Sequence, residues 1–389
     1  MATSKHRPRI LLIFGTRPEA IKLAPVYERL REIPERMDTR IAATAQHRGM
    51  LDQVLDAFSI QPDYDLDLMK PGQSLLESTS RILAALEPVF KREQPDCVLV
   101  QGDTTTALCG ALAAFYHNVA VGHVEAGLRT GDARQPFPEE MNRVLAGRLA
   151  ALHFAPTETS AENLRREHVS AANIFVTGNT GIDAVLEIRD ALAEGRLRGE
   201  GLPDLASRKK LVVVTAHRRE SFGEGFDSIC RALVRLAARE DVEIVYPVHP
   251  NPNVQDPVNR LLRNTRGIHL IDPLPYVPFV DLMRKARVLL TDSGGIQEEG
   301  PSLGKPVLVM REKTERPEAV IAGTARLVGV AEDRIVAETV LLLEDESEYE
   351  RRSHIHNPYG DGRAAERIRD ILCARFASGA APTYAHTSA

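Results

Sequence analysis

Short runs of β-branched and aliphatic residues alternate with segments of helical period along nearly the whole chain, and this alternation limits the fold more than any other feature of the sequence. Residues 9–14, 40–44, 97–100, 119–122, 152–155 and 173–176 each read as a strand, and the stretches between them carry apolar residues at three- and four-residue spacing. Apolar strands separated by helices are the pattern of a parallel sheet covered on both faces. A Gly- and charge-rich segment at 194–210 resets the pattern, and strands at 211–215, 242–248, 268–271, 288–291 and 306–310 then begin a second series. The chain is read as α/β, with two Rossmann-like doubly wound domains. The first takes residues 1–176 plus 361–378, so that a helix at 363–376 returns to it. The second takes 177–360, with the crossing at Thr177-Gly178-Asn179-Thr180. The small and polar residues 379–389 read as a disordered tail.

At 389 residues, two domains are the ordinary expectation. A 43% hydrophobic, 26% charged composition with a formal charge of −5 describes a soluble globular protein and argues against a general nucleic-acid or membrane surface. Cys97, Cys109, Cys230 and Cys373 are scattered, which suggests neither a disulfide framework nor a zinc site, and a reducing, cytoplasmic location fits. The apolar run at 10–14 is far shorter than a signal sequence or a membrane span. No Cys/His ligand spacing supports a metal, and no cofactor is expected.

In an open parallel sheet, ligands bind outside the carboxyl ends of the strands, so polar residues directly after strands are the candidates for chemistry. The stretch 101–143 holds three acids of this kind: Asp103 after one strand, Glu125 in the loop HVEAG after the next, and Glu139 ahead of a helix. Asp103 equally suits the N-cap of the helix at 104–116. Residues 15–19, GTRPE, turn the first strand into a helix with Pro18 at its first position. Arg17 and Lys22 add positive charge to a helix N-terminus suited to phosphate. With one glycine there, no dinucleotide fingerprint is present.

The second half offers matching features. His217 and Arg218 follow a strand directly, as a ligand contact or as a surface basic cluster. Ser293, Gly294 and Gly295 form a strand-to-helix turn whose backbone N–H groups suit phosphate oxygens. Glu299 in that helix is placed either to accept from ribose hydroxyls or to sit in solvent. Arg316, before Pro317, suits a carbonyl or a diphosphate equally. His249 ends a strand and, taken alone, reads as structural. Two like-built halves with a cleft between them suit a nucleotide sugar.

Taken together, GTRPEAIK (15–22), TAQHR (44–48), GDTTT (102–106), VGHVEAGLRTGD (121–132), FPEEMNR (137–143), GNT (178–180), HRRESFG (217–223), YPVHPNPNV (246–254), TDSGGIQEE (291–299), TERPE (314–318) and NPYGDG (357–362) resemble the non-hydrolysing UDP-N-acetylglucosamine 2-epimerases, in one order and over about residues 9–376. The resemblance implies reversible conversion of UDP-GlcNAc to UDP-ManNAc on a glycosyltransferase-B-like pair of domains, with the active site in the interdomain cleft, usually in a homodimer serving polysaccharide biosynthesis. It implies UDP elimination to a 2-acetamidoglucal followed by re-addition, which explains why several acids are needed around one sugar carbon. Asp103, Glu125, Glu139 and His217 match the family's catalytic positions, with Glu125 the candidate for proton abstraction and His217 for assisting UDP departure. Arg17, Lys22, Phe279, Ser293, Gly294, Gly295, Glu299 and Arg316 match UDP-sugar contacts. Gln46, Glu139, Arg218 and His249 match contacts to a second, activating UDP-GlcNAc. Gly49, Gly72 and Leu274 depart from residues common in relatives.

A transferase of the same fold would share the diphosphate site but would not need several acids around C2. A hydrolysing relative would release free ManNAc, and a silent nucleotide-sugar-binding module would leave the acids idle.

Overall fold

The computed structural model describes residues 7–44, 48–68, 70, 72–206 and 208–376. The chain forms two compact units, one of residues Met1–Ala184 with Gly360–Ala389 and the other of Val185–Tyr359. The sequence reading put the crossing at Thr177, before a helix; the contacts divide the chain inside that helix. The expected tail at 379–389 lies outside the described residues.

The first unit runs β1 (Arg9–Phe14), α1 (Arg17–Arg31), β2 (Asp38–Ala43), α2 (Arg48–Ala57), β3 (Tyr64–Asp65), α3 (Leu75–Glu93) and β4 (Cys97–Gln101). It continues through α4 (Thr105–Tyr116), β5 (Ala120–Val124), α5 (Glu139–Leu149), β6 (Leu152–Ala155), α6 (Glu158–Arg166), β7 (Ile174–Val176) and the start of α7 (Thr180–Ala193). The second unit has β8 (Lys210–Thr215), α8 (Glu224–Ala237), β9 (Val242–Pro247), α9 (Pro252–Leu262), β10 (Ile268–Ile271), α10 (Tyr276–Lys285) and β11 (Val288–Thr291). It ends with α11 (Gly294–Ser302), β12 (Val307–Val309), α12 (Pro317–Ala322), β13 (Ala325–Leu327), α13 (Glu332–Glu344) and α14 (Glu346–Ser353), after which α15 (Ala364–Phe376) belongs to the first unit.

Each unit holds one parallel sheet. The strand orders are β3-β2-β1-β4-β5-β6-β7 and β10-β9-β8-β11-β12-β13, so the winding reverses between β1 and β4 in one sheet and between β8 and β11 in the other. Those reversal points are where an open sheet leaves a crevice at its strand ends. Strands β4, β5 and β6 are buried along their whole lengths. Such strands carry no exposed face for chemistry and deliver it to the turns that follow them.

Two buried polar features hold the first unit's frame. Asp183 on α7 accepts from the Ala364 and Ala365 N–H groups at 3.2 and 2.8 Å, satisfying two of the amides that the first turn of α15 leaves unpaired. His123 on β5 and His153 on β6 stand directly opposite in register, each 1% exposed. Burial pushes their pKa values down to about 4 and about 3, with the neighbouring Arg129 adding to the depression in both.

Replacing Asp183 by alanine should lower unfolding stability by about 2 kcal/mol, the size of a lost helix cap that is also buried; an unchanged urea midpoint would contradict this. Because both histidines stay neutral in the fold, the unfolded chain takes up protons first as pH falls below 6.5, and stability is lost from there down to about pH 4 through His123 and about pH 3 through His153. Each accounts for about 2 kcal/mol between pH 7 and pH 5. In His153→Gln the stability difference between those two pH values should shrink by about that amount, and urea titrations at the two pH values giving the wild-type difference would refute it.

Candidate functional site

In the first unit the site is built on the turns after β1, β4 and β5. The β1–α1 turn is closed by Glu19, which is fully buried and accepts from the Gly15 and Thr16 amides at 3.0 and 2.7 Å and from the Thr16 hydroxyl at 2.7 Å. The same carboxylate accepts from the Thr104 hydroxyl at 2.6 Å, tying this turn to the one after β4. Burial raises the Glu19 pKa, and these four donors pull against it. Gly15 is required by the closeness of the two turns, since a Cβ there would lie 2.2 Å from Thr44 Oγ1 and 2.4 Å from Thr106 Oγ1.

Thr104, not Asp103, caps α4: its hydroxyl accepts from the Ala107 N–H at 3.0 Å. Asp103 is thereby released from the capping role that its position suggests. Its carboxylate, 31% exposed, pairs with Arg143 at 2.6 Å, and its carbonyl accepts from Asn142 at 2.9 Å. Asn142 and Arg143 lie in the first turn and a half of α5, which Glu139 opens, half-buried. The His123 ring donates through Nε2 to the Gly102 carbonyl at 2.7 Å, fixing the turn whose Gly102 has φ +70°.

Glu125 has φ +63°, a left-handed backbone that costs a non-glycine residue about 1 kcal/mol. That geometry brings its carboxylate over the Gly102 turn, where a Cβ on Gly102 would lie 3.6 Å from Glu125 Oε2. Lys22 donates to Oε1 at 2.5 Å and Gln101 donates to Oε2. Lys22, read from sequence as a phosphate contact, thus meets an acid of its own unit. Arg17 is half-buried near the start of α1. Gln46 lies outside the described residues.

In the second unit the organising group is Asp292, fully buried after β11. One of its oxygens accepts from the His217 and Arg218 amides at 2.6 and 2.7 Å, and the other lies 3.4 Å from His217 Nδ1. Burial depresses the His217 pKa, Asp292 opposes this, and His249 and Arg218 reinforce it. The His217 and His249 rings stack at 5.2 Å, so two residues that the sequence placed in different roles are in contact. Arg218 pairs with Glu315 at 3.1 Å.

Ser293 is the N-cap of α11 without a side-chain capping bond. Gly294 follows, so close to the 314–316 loop that a Cβ on it would lie 3.2 Å from Glu315 Oε1. Gly295 is exposed. Arg316 is held by Glu298 and donates to the Glu315 carbonyl at 3.3 Å. Thr314 bonds Gln297 at 2.7 Å, pinning that loop to α11. Glu299 on α11 and Phe279 on α10 are half-buried. Leu274 helps line a cavity of ≈ 500 Å³ beside the carboxyl ends of β9 and β10, with Val248, Gln255 and Asp272.

Sequence reasoning did not single out Glu19, Gln101, Arg143, Asp292 or Glu298. The one signal available was position: Asp292 and Gln101, like the acids that were found, end strands. Among the described residues, no helix is long and apolar enough to cross a membrane.

Known proteins of one family match the chain over most of its length. The family model described as UDP-N-acetylglucosamine 2-epimerase matches residues 29–373. A UDP-N-acetylglucosamine 2-epimerase from Escherichia coli is 58% identical over 369 residues, which cover 94% of this chain and 98% of that protein. One from Bacillus subtilis is 51% identical and covers 94% of each. The crystal structure of the Neisseria meningitidis UDP-GlcNAc 2-epimerase bound to UDP-GlcNAc superposes with a TM-score of 0.85 at 47% identity, covering 94% of this chain and all of that one. The Methanocaldococcus jannaschii enzyme, in complex with UDP-GlcNAc and UDP, gives 0.75 at 33% identity, covering 94% and 99%. With its strand-end acids, its two doubly wound parallel sheets and near full-length identity to these enzymes, the chain belongs to the UDP-N-acetylglucosamine 2-epimerase family and is an isomerase.

Proposed function

We propose that this enzyme interconverts UDP-GlcNAc and UDP-ManNAc without hydrolysis, by eliminating UDP and adding it back. The C2 hydrogen has no adjacent carbonyl and is weakly acidic, so it leaves only as the C1–O bond breaks. In the forward step a carboxylate takes the C2 proton, the C–H electron pair forms the C1=C2 bond, and UDP leaves C1 with its bonding pair. In the return step a proton is delivered to the opposite face of C2 and the UDP oxygen re-attacks C1. The observation that carries this reading is the gathering of differently held acids after β4 and β5. Glu125, nearly buried, has a donor on each oxygen, which suits a fixed base. Asp103 has one oxygen engaged by Arg143 and a side chain 31% exposed, which suits an acid/base partner, and Glu139 is the third such group.

The second unit supplies the grip on the leaving group. The N-terminus of α11 at Ser293, Gly294 and Gly295 turns its first amides towards a diphosphate, that of Ser293 being held by the Thr291 hydroxyl at 2.9 Å. Arg316 beside it adds positive charge, and His217, its backbone fixed by Asp292, is placed to assist departure. Arg17, Phe279 and Glu299 complete the proposed substrate contacts. A second UDP-GlcNAc acting on Arg218, His249, Glu139 and Gln46 is proposed as activator, and the His217–His249 stack offers the route by which it is felt. A homodimer and a cytoplasmic location belong to the same reading. Phe115 and Tyr116, 43% and 71% exposed on α4, give an apolar surface that a second copy would cover, and the four unpaired cysteines suit a reducing compartment.

Incubation with UDP-GlcNAc in D2O should give UDP-ManNAc carrying deuterium at C2 by NMR; free ManNAc would instead indicate hydrolysis, and unlabelled, unchanged UDP-GlcNAc would remove the epimerase reading. Glu125→Gln should abolish C2 exchange, by about 10³-fold or more, with UDP affinity nearly intact. Exchange at the wild-type rate would take Glu125 out of the mechanism. Light scattering should show the mass of a dimer, halved in Tyr116→Glu; a wild-type monomer would exclude the dimer.

A further inference from the structure

Glu125 is set in place by two side chains from different elements, and one of them, Gln101, stands outside every role assigned above. Gln101 is the last residue of β4, 3% exposed, and pairs with Val124 in register with β5. Its side-chain amide donates to Glu125 Oε2, while Lys22 from α1 donates to Oε1. The Glu125 side chain is 8% exposed, so water does not readily replace either donor. The left-handed backbone at Glu125 turns the carboxylate back towards β4, where both donors reach it.

We infer that Gln101 and Lys22 are positioning residues for proton transfer at C2, holding the Glu125 carboxylate by its two oxygens so that it meets the C2 hydrogen in one orientation. The two donors have different effects. The Lys22 ammonium gives Oε1 a charge-assisted hydrogen bond. The neutral Gln101 amide fixes the direction of Oε2 without adding a second charge to the site. Lys22 acts here on the proton acceptor, and the diphosphate is left to the second unit. This inference rests on Glu125 being the base, as proposed above.

The test is a double-mutant cycle on C2 exchange in D2O, with UDP affinity measured by calorimetry on the same proteins. Gln101→Met should slow exchange about 10- to 100-fold, the size of a lost orienting contact, with UDP affinity within about twofold of wild type. In a Glu125→Gln background the same change should have almost no further effect, because its only consequence passes through Glu125. Lys22→Met should follow the same pattern. Equal fold-losses in both backgrounds would overturn the inference for Gln101. A large loss of UDP affinity in Lys22→Met would return Lys22 to the diphosphate. Gln101→Glu, close to isosteric, carries the same cycle if the Met variant folds poorly, and should lose more exchange by setting two carboxylates against each other. Wild-type exchange in Glu125→Gln alone would sink the choice of base and this inference with it, a result read separately from the cycle.

Discussion

Burial of the parallel strands is the constraint on which the rest of this molecule depends. Strands β4, β5 and β6 have no accessible residue along their lengths, so an ionisable side chain within them would lose its hydration without a partner. The two histidines that do lie there, His123 and His153, remain neutral. Charge is displaced to the turns at the carboxyl ends, and because the winding reverses between β1 and β4, the turns after those strands lie side by side. Glu19 makes the junction, with one carboxylate serving the first turn and Thr104 of the second.

A comparable device organises the second unit. Asp292, buried after β11, binds the two backbone amides that follow β8, and so fixes the segment carrying His217 and Arg218 against the turn that leads into α11. In both units a buried acid joins the turns of two adjacent strands across the reversal point. The exposed or half-exposed groups beside it, Asp103 and Glu139 in one unit and His217 and Arg316 in the other, are the ones proposed to meet the substrate. The buried acids Glu19 and Asp292 hold the backbone on which the proposed chemistry is mounted.

Much of this was legible in the sequence, because its physical cause is local. Strand–helix alternation follows from hydrophobic period, and an acid directly after an apolar run is an acid at a strand end. Short elements were missed: β3 has two residues and β13 three, and α14 (Glu346–Ser353) is strongly charged, so none gives a periodic signal. Partnerships were missed for another reason. Glu19 reads as an ordinary first-turn glutamate, and its bond to Thr104 spans 85 residues of sequence. Lys22 and Glu125 are 103 residues apart. Asp103 looks like a helix cap until the next residue, Thr104, is seen to take that role and leave Asp103 to Arg143.

The central claim is that acids after β4 and β5 move the C2 proton while UDP departs and returns, and breakage of the C1–O bond is its most direct consequence. UDP-GlcNAc carrying oxygen-18 in the bridge between C1 and the β-phosphate measures it. If UDP leaves and re-adds, label in the recovered nucleotide sugar will spread to the non-bridging oxygens of that phosphate as epimerisation proceeds. Label that stays wholly in the bridge through repeated inversions of C2 would contradict an account in which UDP leaves with its β-phosphate free to turn.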